Sequence, residues 1–92
     1  MSLRSALGPA VKELRVFGCQ SSAGSAGVRA FIQSSYPHVK KANPDLPILI
    51  REALGTPARA FARFERGVEK AVSLEGVKSA EEVEQKIASL IK

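Results

Sequence analysis

Three stretches of this sequence carry residues that could do chemistry. Cys19 is the single cysteine among 92 residues, and it heads Cys19-Gln20-Ser21-Ser22, the spacing of a monothiol site. A thiol at a helix N-terminus is acidified toward the nucleophilic thiolate. One cysteine, however, cannot close an intrachain disulfide, and structural zinc needs several ligands. An incidental or structural thiol is therefore expected. Arg59, Phe61 and Arg63 form the second stretch. Two guanidiniums flanking a ring suit RNA, through phosphate contact and stacking. They also suit a protein interface, where arginine and aromatic residues are enriched. In the plainest reading Phe61 packs under a helix and the arginines snorkel outward; the residues alone leave these open. Gly24-Ser25-Ala26-Gly27 is the third. It lacks the Gly-Lys-Ser/Thr ending of a P-loop and the full glycine spacing of a dinucleotide site, so a tight turn with a helix cap is expected. His38 has no Ser or Cys-plus-acid partnership and reads as a surface residue near a helix end. No catalytic, cofactor-binding or metal-binding residues are assigned.

These residues need elements to position them. Leu14, Val16 and Phe17 mark a first strand over 12–18, followed by the small, polar Cys19 loop. A helix should start at Ser22 or Ser25, both good N-cap residues. Val28, Phe31, Ile32, Ser35, Tyr36 and Val39 keep helical spacing. Pro37 should end or kink that helix near Tyr36, leaving a loose turn up to Asn43-Pro44. Leu46, Ile48, Leu49 and Ile50 then read as a short strand over 46–51. A strand apolar on both sides is usually central and covered by helices. Arg59 to Phe64 alternates, with Ala60, Ala62 and Phe64 on one face and Arg59, Phe61 and Arg63 on the other. Glu65-Arg66-Gly67 reads as a hairpin turn with the glycine left-handed, and 68–73 as the returning strand. Ser79 and Glu82 form a capping box, ahead of an apolar stripe of Ala80, Val83, Ile87, Leu90 and Ile91. The order is β-α-β, then β-β-α. That predicts an α/β fold: a thioredoxin-like, four-stranded mixed sheet with flanking helices.

The totals set the class. Lys and Arg number 14 against 9 Asp and Glu, a formal charge of +5. That balance favours acidic partners, but the cations are scattered, so a solvated surface is expected. No apolar run approaches the ~20 residues that span a bilayer. Residues 1–11 carry one arginine, two serines and no acid, a weak fit to an import signal. They are read as a flexible N-terminal segment ahead of a single domain over 12–92.

The run Asn43-Pro44-Asp45-Leu46-Pro47-Ile48-Leu49-Ile50-Arg51-Glu52 resembles a known family. It is similar to the thioredoxin-like accessory subunits of mitochondrial NADH:ubiquinone oxidoreductase, respiratory complex I. Cys19 to Ile32 supports this, with Gly24, Ser25, Gly27, Val28, Arg29 and Phe31, as does Pro57 to Gly67. The resemblance covers 12–92 and is strongest up to 67. It implies a non-catalytic subunit without cofactors, supporting assembly and stability of the NADH-oxidising module. It implies a peripheral place on the matrix side of the inner membrane, without membrane insertion, docked on the large iron–sulfur subunit. Arg59, Phe61 and Arg63 are then candidate docking residues, and no nucleic acid is expected. Thioredoxin-like redox proteins place their reactive cysteine where Cys19 stands. Family members can carry a second cysteine where this chain has Ala53, so a two-cysteine redox cycle is not available within the chain. Pro57 occupies the place where such folds often hold a cis-proline, and its isomer is left open. The alternative is a related mitochondrial ribosomal family with a similar glycine–arginine–phenylalanine pattern in the first helix. It would imply ribosomal RNA binding, but clustered Lys and Arg tails are missing here.

Overall fold

The structure, a computed structural model, describes residues 11–91. The strands are β1 (Val11–Gly18), β2 (Ile48–Glu52), β3 (Arg59–Phe64) and β4 (Glu69–Ser73), in sheet order β2-β1-β3-β4. β1 and β2 run parallel, while β1–β3 and β3–β4 are antiparallel. This is the mixed thioredoxin-like sheet expected from the order of elements. The expected N-terminal segment 1–11 lies outside the described residues except for Val11. Val11, however, is buried at the head of β1. A bulge between Val11 and Glu13 in the β1–β3 register lets Val11 share the core face with Leu14 and Val16.

The polypeptide between β1 and β2 is one helical run of changing pitch. A 3₁₀ turn (Ala23–Ser25) leads into α1 (Ala26–Ala30), then a π turn (Phe31–Ser35), then α2 (Tyr36–Ala42). The run does not end at Tyr36 as Pro37 suggested. The Tyr36 N–H donates to the Phe31 carbonyl, an i→i−5 bond that widens the helix one residue before the proline. Pro37 then sits in the first turn of α2, where a missing N–H is tolerated. The helix stops at Asn43, whose Nδ2 donates to the Val39 carbonyl at 2.9 Å. Neither Ser22 nor Ser25 makes a side-chain cap bond. α3 (Ala80–Ile91) is capped as predicted, with the Glu82 N–H donating to Ser79 Oγ at 3.2 Å.

The core lies between the helices and one face of the sheet. Leu14, Val16, Ile48, Ala60 and Ala62 come from the strands, and Val28, Phe31, Val39, Val83 and Ile87 from the helices. Burying each large side chain contributes about 1.5–3 kcal/mol. Inside the helical layer, the buried Ser35 hydroxyl in the π turn donates to Glu84 of α3 at 2.8 Å.

One further expectation is corrected and another is extended. β2 is an edge strand, not a central one: Ile48 is buried, but Leu49 and Ile50 are only half-buried. At the β3–β4 connection Arg66 as well as Gly67 is left-handed, with φ of 61° and 73°. Pro57 follows a trans peptide bond, since none of the described bonds is cis.

Candidate functional site

Cys19 directly follows β1, at the start of the loop, and is buried. The Gly55 N–H donates to its Sγ at 3.3 Å from the β2–β3 loop. Hydrogen bonds from the backbone of Ser21, Gly55 and Ser22, in that order, lower the thiol from 9.0 to about 7, against a smaller upward push from burial. The backbone N–H groups around it acidify the thiol, rather than a regular helix N-terminus. Ser25, expected as a cap, is buried and accepts the Cys19 N–H on its Oγ at 2.9 Å. Arg29 Nη1 donates to the carbonyls of Cys19 and Ser22 at 3.0 and 2.8 Å. The loop is thus braced from α1. Ala53, at the place of the second family cysteine, donates its N–H to the Gly18 carbonyl, so that position supplies backbone only.

Gly24 and Gly27 do not form a phosphate cradle. They let the helical run close on the segment after β4. The Gly27 N–H donates to the Val77 carbonyl at 2.9 Å, and the Gly76 N–H to the Gly24 carbonyl at 2.9 Å. A Cβ at Gly24 would overlap the Glu75 carboxylate. That carboxylate accepts the Ala58 N–H at 2.8 Å.

Arg59, Phe61 and Arg63 stand together on the face of the sheet turned away from the core. Ala60 and Ala62, between them, are buried. Strand pairing extends the face in rows. Arg51, Phe17, Arg59 and Ser73 form one row, and Leu49, Arg15, Phe61 and Ala71 the next. Phe17 and Phe61 meet edge to face, with centroids 5.6 Å apart and planes at 82°. The Arg59 guanidinium lies over both rings, 5.2 Å from Phe17 and 5.3 Å from Phe61. Arg63 pairs with Glu13 at 3.5 Å, and Arg15 pairs with Glu13 and, at 3.4 Å, with Glu69. Phe61 therefore packs under no helix. Alternation within β3 foretells the triplet, but Phe17 and Arg51 enter only through the register of neighbouring strands. No cluster of three or more His, Cys, Asp and Glu suited to a metal occurs among the described residues. His38 is exposed on α2.

The comparisons with known proteins decide the lineage. The family model of the mitochondrial ribosomal protein L51 / S25 / CI-B8 domain matches residues 28–79. The chain belongs to this family. Its full length aligns with the NADH-ubiquinone oxidoreductase 10.5 kDa subunit of Neurospora crassa at 47% identity, spanning 97% of that subunit. The NADH dehydrogenase (ubiquinone) 1 alpha subcomplex subunit 2 of Arabidopsis thaliana is 44% identical over 84% of the chain and 79% of its own length. Its namesake from Mus musculus is 46% identical over 88% of the chain and 81% of its own length. All three relatives are named as subunits of an NADH–ubiquinone oxidoreductase or NADH dehydrogenase (ubiquinone), and none of the three as ribosomal. Within the family stretch around α1 each residue type now has a physical reason. Gly24 and Gly27 admit the 75–77 segment, Ser25 and Arg29 hold the Cys19 loop, and Val28 and Phe31 fill the core.

Proposed function

We propose that this chain is a non-catalytic accessory subunit of mitochondrial respiratory complex I that supports assembly and stability of the NADH-oxidising module. The observation that carries this is the full-length similarity to the Neurospora crassa subunit. The fold is in keeping with it: the described residues devote their one thiol to a braced loop and leave a sheet face open. The subunit sits on the matrix arm, peripheral to the inner membrane, against the large iron–sulfur subunit. No helix among the described residues is long and apolar enough to cross a membrane. Arg59, Phe61 and Arg63 belong to the docking surface, and Cys19 has no redox duty.

The test is complementation of mitochondria depleted of the subunit, read by native gel, NADH oxidation and cross-linking. The full chain and its Cys19→Ser variant should restore the module equally, with cross-links to the iron–sulfur subunit. Loss of NADH oxidation in a fully assembled Cys19→Ser complex would give the thiol a functional role. Co-purification with ribosomal RNA in place of NADH dehydrogenase activity would move the chain to the ribosomal branch.

A further inference from the structure

Among the described residues, the open sheet face carries more positive than negative charge. Four guanidiniums stand on it, from Arg15, Arg51, Arg59 and Arg63, against the carboxylates of Glu13 and Glu69. Both carboxylates are engaged by Arg15 and Arg63. Among the described residues, no carboxylate lies within ion-pair distance of Arg51 or Arg59. Arg59 is instead laid over two phenyl rings. Ring faces attract a cation but offer no acceptor for its N–H groups, so the fork of donors stays available while its plane is held. Such a guanidinium is preorganised for a carboxylate, which takes two parallel N–H bonds. Around it lie apolar groups that are in part open to solvent: half-buried Phe17, Phe61 and Leu49, and exposed Ala71. The loop that crosses the end of β1 carries Leu54, which is 84% exposed.

We infer that this face docks a protein segment presenting a carboxylate beside an apolar side chain, with Arg59 as the anchor that receives the carboxylate. The inference rests on the accessory-subunit reading and deepens it. It separates two arginines that the sequence treats alike. Arg63 is already paired within the chain and serves the rim, whereas Arg59 is held ready at the centre. A nucleic acid fits this face less well. Its phosphates come in a run and need several uncommitted cations, and here Glu13 and Glu69 share the surface.

The experiment adds full-length variants to mitochondria depleted of the subunit and reads incorporation into the NADH-oxidising module on native gels. Thermal melts check folding alongside. Arg59→Lys keeps the charge and loses the planar fork. Its incorporation should fall roughly tenfold or more, as for a truncated central anchor. Arg63→Lys should stay within about twofold of wild type, since an exposed pair is worth little. Ala71→Trp, opposite Phe61 in the β3–β4 register and itself without charge, places bulk on the face and should fall as Arg59→Lys does while melting normally. Wild-type incorporation of Arg59→Lys and Ala71→Trp would overturn this inference and leave the accessory-subunit reading standing. Equal losses in Arg59→Lys and Arg63→Lys would overturn Arg59 as the anchor. Failure of the wild-type chain to incorporate would overturn both readings. Binding to ribosomal RNA fragments that weakens log-linearly with salt would replace the protein segment with nucleic acid.

Discussion

Two glycines show how distance alone misleads at the scale of a residue. A Cβ at Gly27 would lie 2.5 Å from the Val77 carbonyl oxygen and 2.8 Å from its carbon. Those are backbone atoms, tied in place by the bond they accept from the Gly27 N–H. A Cβ at Gly24 would meet Glu75 more closely still, but only the far end of an exposed, flexible side chain. Glu75 can swing away, at the cost of its bond to the Ala58 N–H. Gly27→Ala should therefore destabilise by about 3 kcal/mol, the upper part of the overpacking range. Gly24→Ala should cost about 1 kcal/mol, the worth of one hydrogen bond. Urea melts of the two variants decide it, and a larger loss at Gly24 would mean that Glu75 is held more rigidly than its exposure suggests. Neither backbone contact is visible in the Gly-x-x-Gly spacing, because the opposing segment lies about fifty residues downstream.

At the scale of an element, β2 is the instructive case. Its apolar run reads as a strand buried on both faces, yet it is the sheet edge, and its residues divide by parity. Ile48 faces the core and is buried, while Ile50, on the same face two residues on, is half-buried. Ile48→Ala should cost about 2–5 kcal/mol, as for a core deletion. Ile50→Ala should cost about 1–2 kcal/mol, in proportion to the smaller area it hides. Denaturant melts yielding equal losses would mean that Ile50 is as deeply packed as Ile48. The contrast marks what local pattern can carry. The last helix, its Ser79 cap and the alternation of β3 are legible because their signals lie within a few residues. Strand position in the sheet is not, since it depends on which other strands flank it. The passage through Pro37 is equally hidden: it uses a π turn whose Ser35 is tied across to Glu84. Ser25 resembles a cap in sequence, but its hydroxyl is drawn away to the Cys19 N–H. That Arg59, Phe61 and Arg63 share the outer face is legible by parity. The difference between the two arginines is not, because Phe17 and Glu13 reach them only through the β1–β3 register.

The whole molecule combines two kinds of electrostatics that respond differently to salt. Among the described residues, the helices cover one face of the sheet and none covers the other. The formal charge of +5 is spread over the entire surface, so its field acts on approach, over a screening length of about 8–10 Å at physiological ionic strength. Scattered charge of this kind steers encounter and governs the association rate. The Arg59 contact is made only after docking, between groups that have lost much of their water, and it governs dissociation. Raising the salt should therefore slow association of the full chain with a module lacking it, and leave the dissociation rate nearly unchanged. Lys78→Gln, an exposed charge in the segment between β4 and α3, should lower the association rate slightly at low salt and leave dissociation alone. Arg59→Lys should do the reverse, speeding release with little effect on capture. Stopped-flow capture of a labelled chain, followed by chase with unlabelled chain, measures both rates. If salt instead accelerates release as strongly as it slows capture, the bound state is held by exposed rim charges. Arg59 would then be one cation among fourteen rather than the anchor of the open face.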